Sequence, residues 1–373
     1  WQTLHSPPAT DCALPFQGGW FLFLGYELAA QVEPVLRLPL AMGSQLPVAC
    51  AVRAPAALIH DHREQTFWLV AEPGCESLLE LMAADIGQST PLLSVSKTPL
   101  VDHVREDDAG QYLNSVARIK QYILDGDVFQ VNLSRAWRGA LSSVSTDASL
   151  YRRLRAANPA PFAGLCAMDD WAVISSSPER LVAVHGDTIE TRPIAGTAPR
   201  TVDTAVLEQR LMRHPKERAE HIMLIDLERN DLGRICVPGT VEVNELLALE
   251  SYAYVHHLVS NVRGIKRAAV TPGEVIRAVF PGGTITGCPK VRCMEIIAEL
   301  EGEARGAYTG ALGYVNRDGS MDLNILIRTM VREGRRLSLR AGAGIVADSI
   351  PSRELAETRA KAQGMLAALA GEG

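Results

Sequence analysis

What most constrains the fold is that strand signals come in runs. Between 162 and 191 short apolar segments are broken by turn residues at Asp169-Asp170 and His185-Gly186-Asp187, and a second meander extends from 307 to 346 with turns near Asp318-Gly319 and Glu333-Gly334. Helical patterns interrupt these runs at about 204–231, 289–301 and 352–369, with Pro289 at a first-turn position of the middle one. Upstream, Tyr112, Val116, Ile119 and Ile123 recur at helical spacing and Gly126 follows as a stop, predicting a helix of about four turns. Runs of strands, rather than strict β-α-β alternation, predict an α+β fold with antiparallel sheets. No period of about 20 to 50 residues marks a repeat architecture.

The first 75 residues read as short strands and loops, with Trp20–Tyr26 and Thr66–Ala71 the best strand segments. Residues 87–100 are rich in Ser, Thr and Pro without a period, which predicts a loop dividing an N-terminal portion of the fold (1–100) from a catalytic region (101–373). At 373 residues and 47% apolar, the chain can bury a substantial core. A net charge of −6 and the lack of a dense Lys/Arg run argue against nucleic acid as a partner. The longest apolar stretches, Trp20–Leu24 and Gly364–Ala370, fall well short of a bilayer span, so no membrane partner is expected. Seven cysteines, with no Cys-x-x-Cys spacing, fit reduced thiols and a cytoplasmic protein. The chain opens on Trp1 rather than Met, so an N-terminal segment is expected to precede it.

Two helical stripes carry carboxylates. Glu217 and Glu220 are three apart, beside an apolar stripe of Met223, Leu224 and Leu227; Glu354, Glu357 and Lys361 fall within about 60° of one another on the last helix. Either stripe alone reads first as a solvated face with intrahelical ion pairs. The sharper reading is that both converge on a hard cation such as Mg2+, which prefers carboxylates, retained waters and a substrate oxygen.

Just before the last helix, Gly342 and Gly344 flank a single Ala, where the choice lies between tight packing and close backbone approach to an anion. Arg328 could add a planar fork for a carboxylate. The stretch FPGGTITGCPK (280–290) lacks the Gly-Lys-Ser/Thr ending of a phosphate loop and leaves a hydroxyl-rich glycine loop leading into a helix N-terminus. His256 and His257 have no partner at metal-ligand spacing and read first as structural histidines. Ser175–Ser177 form no Gly-x-Ser-x-Gly elbow.

Taken together, GDVFQVNLSR (126–135), SSSPERL (175–181), TRPIAGTAPR (191–200), ERAEHIMLIDLERNDLGR (217–234), FPGGTITGCPKVRCMEII (280–297) and AGAGIVADSIPSRELAETRAK (341–361) resemble the chorismate-utilising enzymes. The resemblance covers roughly residues 16–370 and is strongest from 108 to 365. It implies large antiparallel sheets packed as a sandwich core with helices on the outside, and a deep site for Mg2+ and chorismate. By position, Glu220 and Glu357 look like direct metal ligands, with Glu217 and Glu354 acting through water. Lys361, Gly342 and Gly344 match the site for the ring carboxylate, and Tyr314 and Arg328 match residues holding the enolpyruvyl carboxylate. Thr284 and His257 match ring-facing positions. Glu179 occupies the place of the acid that protonates the departing C4 hydroxyl, so a raised pKa is expected.

The family's water-using branches resemble one another in carrying Lys where this chain has Gln130, and an amide takes no proton at neutral pH. The resemblance therefore implies ammonia as nucleophile, supplied by a separate glutamine amidotransferase subunit. Thr286, with Pro281-Gly282-Gly283 before it, looks like the aminodeoxychorismate branch. Ala195 stands where that branch typically has a nucleophilic Lys, and looks like the anthranilate branch. The expectation is chorismate amination by an aminodeoxychorismate synthase component I, with anthranilate synthase component I as the alternative.

Overall fold

The strand runs close into two antiparallel sheets in the computed structural model of the chain. It describes residues 4–6, 14–89, 98–142, 145–199, 215–251 and 255–371, with the backbone alone of 102, 195–199, 215–220 and 255. The larger sheet has nine strands, in the order β11 (Ile194–Pro199), β13 (Val255–Ile265), β10 (Thr188–Arg192), β9 (Arg180–His185), β16 (Met321–Ile325), β15 (Ala311–Asn316), β1 (Gly19–Leu24) and β2 (Ala49–Ala54), with β12 (Glu242–Ser251) added on β13. The smaller has seven: β14 (Gly287–Cys288), β6 (Gln130–Leu141), β18 (Arg336–Ile345), β17 (Thr329–Glu333), β8 (Trp171–Ser177) and β7 (Phe162–Ala167), with β5 (Val101–Glu106) on β6. A separate hairpin joins β3 (Ala56–Asp61) to β4 (Thr66–Ala71).

The helices are α1 (Ala29–Val32), α2 (Ser77–Gln88), α3 (Ala109–Leu124), α4 (Asp147–Ala157), α5 (Pro215–Gly233), α6 (Pro272–Val279), α7 (Lys290–Glu301) and α8 (Pro351–Ala370). Strand alternation sorts side chains into layers. Phe23 and Leu312 of the larger sheet meet Trp171 and Val173 of the smaller in one buried cluster. Their neighbours Leu22, Leu24 and Ala311 point the other way, onto Ile225 and Leu232 of α5 and Val275 and Val279 of α6. Beyond the smaller sheet, Trp137, Ile174 and Leu339 pack on Leu150 and Leu154 of α4 and Met365 and Leu369 of α8. The order is helix, sheet, sheet, helix, which is the sandwich the resemblance implied. Each fully buried Leu, Ile or Phe contributes about 1.5–3 kcal/mol. Among the described residues no helix is long and apolar enough to cross a membrane.

Local signals place several elements closely. Asp108 caps α3 by accepting the Gln111 N–H at 2.8 Å, and Gly126 beyond its end has φ 84°. The two meanders appear as β7 to β10 and β15 to β18. Other readings shift. Pro289 precedes α7 as its N-cap rather than lying in its first turn. The expected helix at 204–231 is described only from Pro215. Helix α2 runs to Gln88, into the stretch read as loop from 87, and residues 90–97 lie outside the described ones. Strands β1 and β2 belong to the larger sheet, with Phe21 opposite Tyr314, so this part of the N-terminal portion builds the same sheet as strands of the catalytic region.

Candidate active site

Two sheet-to-sheet crossovers form the floor of the site. Pro178 and Glu179 carry the chain from β8 to β9, and Leu326–Arg328 carries it back from β16 to β17. The three serines fasten them together: Ser175 Oγ lies 2.8 Å from Thr329 Oγ1, the Ser176 N–H donates to Arg328 O at 3.1 Å, and Ser177 Oγ donates to Ile325 O at 2.5 Å. The Ser177 hydroxyl thus holds backbone of β16, and the Ser175 hydroxyl holds the Thr329 side chain of β17.

Glu179 is 6% exposed, and burial pushes its carboxyl up to about 7 against the opposing pull of the Thr284 hydroxyl, the Ile194 N–H, Lys361 and Arg328. Arg328 sits at φ 53°, a left-handed conformation that a long side chain rarely adopts and that the two crossovers hold in place. Burial lowers its pKa, while the Tyr308 hydroxyl, Glu179 and Glu357 pull the other way. It makes no ion pair with a described residue, which leaves its fork open to an anion.

Strands β6 and β18 wall the site, with Gly342 opposite Ser134 and Gly344 opposite Asn132. A Cβ at Gly342 would come within 2.6 Å of Tyr308 Oη and 2.7 Å of Leu133 O, and one at Gly344 within 2.7 Å of Gln130 Nε2. At Gly342 the clash is with backbone, so close packing requires the glycine, whereas at Gly344 it is with the movable end of the Gln130 side chain. Gln130 and Asn132 are buried, and their Oε1 and Oδ1 have no hydrogen-bond partner among the described residues. From α8, Lys361 Nζ donates to Gly342 O at 2.9 Å and pairs with Glu357 at 2.7 Å.

Not every expected residue joins this group. Tyr314 packs edge-on against Phe16, with ring centroids 5.5 Å apart, and burial together with Asp322 pushes it up to about 12 while Arg180 opposes them. The tyrosine beside Arg328 and Gly342 is Tyr308, six residues earlier. Which of the two turns inward is set by the bend before β15, where Thr309 has φ 64°. Thr286 is buried and donates its hydroxyl to Gly282 O at 2.9 Å, closing its own loop. His257 is buried on β13 and lines a cavity with Pro178, Arg180 and Ile194, and Glu179 is not among the residues lining it. Ala195 falls at the irregularity of β11 between Ile194 and Gly196, and its side chain lies outside the described residues.

The four glutamates expected around a cation are described only in part. Glu354 and Glu357 both act electrostatically on Tyr112 of α3, and the Glu357 side chain is about half exposed, at 49%. The side chains of Glu217 and Glu220 lie outside the described residues. Among the described side chains no cluster of three or more His, Cys, Asp or Glu is poised for a metal. What the structure does bring near Glu179 are the two helices: Lys361 of α8 acts on Glu179, and Glu179 in turn acts on the buried Glu228 of α5. Glu228 is a buried carboxyl that the sequence reading passed over. Its signal was present, since 217, 224 and 228 repeat at helical spacing and Glu228 continues the Glu217 stripe.

The sequence model of the chorismate binding enzyme family matches residues 2–367. An anthranilate synthase component I-like protein of Synechocystis sp. is 44% identical over 363 residues, covering 96% of this chain and 74% of its own length. Aminodeoxychorismate synthase component 1 of Bacillus subtilis is 39% identical over 366 residues, covering 95% and 77%. The crystal structure of anthranilate synthase component I from Streptococcus pneumoniae superposes with a TM-score of 0.88 at 32% identity, covering 98% of this chain and 83% of that one. With its buried acid, open arginine fork and paired glycines on this frame, the chain belongs to the chorismate binding enzyme family and is a chorismate-utilising enzyme of the anthranilate synthase and aminodeoxychorismate synthase component I type.

Proposed function

We propose that the chain is an aminodeoxychorismate synthase component I, which replaces the C4 hydroxyl of chorismate with ammonia. The observation that carries this reading is Gln130, buried beside Gly344 with its Oε1 unpartnered among the described residues. A neutral amide takes no proton from water, so the nucleophile has to be one that needs no base, and ammonia meets that condition. Within the ammonia-using branches, the loop from Pro281 to Thr286 supports amination at C4. Ala195 favours the second reading, anthranilate synthase component I, because a methyl group cannot form the covalent lysine intermediate.

In this reading the Arg328 fork and the Tyr308 hydroxyl, in place of Tyr314, hold the enolpyruvyl carboxylate. Lys361 and the backbone of Gly342 and Gly344 hold the ring carboxylate, while Thr284 and His257 face the ring. Glu179 gives its proton to the departing C4 hydroxyl, and burial keeps that proton available near neutrality. The carboxylates of α8 are oxygen donors that retain access to solvent, which suits Mg2+. Glu357 and Glu354, with Glu220 and Glu217 of α5, would hold it, and when bound it withdraws charge from the ring carboxylate as a Lewis acid. A separate glutamine amidotransferase subunit supplies the ammonia, in the cytoplasm, where the six described cysteines remain free thiols.

Mixing the purified chain with chorismate, Mg2+ and ammonium, with and without aminodeoxychorismate lyase, tests the reading. p-Aminobenzoate appearing only with lyase supports C4 amination. Anthranilate fluorescence without lyase overturns it in favour of the second reading.

A further inference from the structure

We propose that Asn132 completes a seat for the nucleophile, in which Asn132 Oδ1 and Gln130 Oε1 are the acceptors for the N–H groups of ammonia. The inference rests on the reading of ammonia as nucleophile and adds a residue to it. Residues 130 and 132 stand two apart on β6, so their side chains share the face on which Gly342 and Gly344 of β18 present none. They are 6% and 7% exposed, and neither amide oxygen has a hydrogen-bond partner among the described residues. Each amide leans over a glycine: a Cβ at Gly344 would come within 2.7 Å of Gln130 Nε2, and one at Gly342 within 2.9 Å of Asn132 Oδ1. The backbone beneath Asn132 is pinned. Its N–H donates to Thr286 O at 2.9 Å, its carbonyl accepts from Arg305 Nη2 at 2.7 Å, and the Thr286 hydroxyl closes its own loop on Gly282 O. Thr286, the residue that looks like the aminodeoxychorismate branch, is thus bonded to the backbone of Asn132. The strand that carries both acceptors is set before substrate arrives.

Counting donors decides what the two oxygens are for. A buried amide oxygen accepts only, and leaving it without a donor is costly. The donors nearby, Lys361, Arg328 and the Tyr308 hydroxyl, are those assigned to the substrate carboxylates, and the carboxylates themselves bring acceptors. Chorismate carries one O–H, at C4, and that group is engaged with Glu179. Ammonia carries three N–H donors and one lone pair, so two amide oxygens can hold it and leave the lone pair free for carbon. On attack the lone pair forms the C–N bond, the C4–O bond breaks with its electron pair, and the Glu179 proton leaves with that oxygen as water. Nitrogen keeps its three hydrogens as an ammonium group, so no base is called for, and the two carbonyl dipoles face the positive charge as it forms. Water in the same seat would have to lose a proton that neither amide takes.

The test uses Asn132→Val and Asn132→Asp in the full chain with Mg2+, at saturating chorismate and varied ammonium, scoring aminodeoxychorismate and anthranilate together. Val removes the acceptor, whereas Asp has the shape of Asn and keeps it. In Asn132→Val the KM for ammonium should rise about tenfold, the size of one hydrogen bond to a forming charge. The Kd for chorismate, measured by calorimetry without ammonium, should change less than about twofold in the same variant, because the substrate does not use this acceptor. In Asn132→Asp the KM for ammonium should stay within about twofold of the parent or fall, since a carboxylate accepts at least as well as an amide. A rise in Asn132→Asp equal to that in Asn132→Val overturns the acceptor role. An unchanged KM for ammonium in Asn132→Val overturns the seat, and if chorismate binding weakens instead, the Asn132 amide belongs to a substrate carboxylate. The reading beneath the inference fails in a different way: a parent chain that adds water to chorismate and gains nothing from ammonium has no ammonia to seat.

Discussion

Glu179 shows what one buried carboxyl imposes on the whole pH response. Its pKa is raised from an ordinary 4.5 to about 7, so folding favours the protonated form. The stabilising contribution of that proton is fully present below about 4.5 and is lost as pH rises through about 7. Glu179→Gln should therefore match the parent in denaturant midpoint at acid pH and exceed it at pH 8, by about 3 kcal/mol at most. The same variant should lose at least about a hundredfold in kcat, because the acid is gone. In the parent, kcat/KM for chorismate should fall as pH rises through about 7. Glu357 is the opposite case: half exposed and, among the described residues, ion-paired along its own helix with Lys361, it can be changed without touching the core. Glu357→Gln should abolish Mg2+-dependent turnover and leave the melting temperature within a degree or two, on the scale of a surface substitution; surviving activity would remove it from the metal set. Glu179, Arg328 and Lys361 were legible from short motifs and do come together. Tyr308 was not, because GAYTGALGY offers two tyrosines and only the bend at Thr309 decides between them.

Among the elements, the meanders and the long helices could be read from period and turn chemistry, and β6 could only in part. Val131 and Leu133 alternate with Gln130, Asn132 and Ser134, the period of a strand with one solvated face, but the polar face is buried too, which the pattern does not show. Polar residues stand there because that face lines the site. Its partner β18 supplies the complementary requirement, glycine at 342 and 344. The two positions should respond differently to alanine. At Gly342 the added methyl meets backbone, Leu133 O at 2.7 Å, so the strands must part; Gly342→Ala should cost about 1–3 kcal/mol in unfolding free energy and weaken chorismate binding sharply. At Gly344 it meets only the flexible end of Gln130 at 2.7 Å, so Gly344→Ala should melt close to the parent yet change turnover by displacing that amide. Calorimetry paired with KM and kcat separates the two, and equal loss of stability would contradict the packing described.

On the scale of the molecule, what the sequence could not reveal is which distant strands meet. Strand β1 lies beside β15 although almost the whole chain separates them, and no local propensity encodes that pairing. The layers are tied together behind the site by a buried ion network. Glu301 at the end of α7 accepts from the Ser134 N–H of β6 at 2.8 Å, from Arg305 at 2.6 Å and from Arg340 of β18 at 2.9 Å. Arg305 in turn donates to Asn132 O of β6 at 2.7 Å, and its own N–H reaches Glu27, just beyond β1, at 2.8 Å. One carboxylate thus joins the smaller sheet to the segment that leads into the larger. Burial alone would raise the pKa of Glu301, but the two guanidiniums outweigh it and hold the carboxyl below its ordinary range. A depressed folded pKa gives stability that is present above the unfolded value and lost as pH falls through the folded one, the reverse of Glu179. Glu301→Gln leaves the buried Arg305 without its counter-charge and Arg340 with Glu303 alone, and should cost about 3–5 kcal/mol at neutral pH. Because the lost term is one that acid removes from the parent anyway, the gap between variant and parent should narrow as pH drops below about 4. Urea titrations at pH 7 and pH 3.5 check this, and a gap that stays constant would mean that Glu301 holds the layers together by shape rather than by charge.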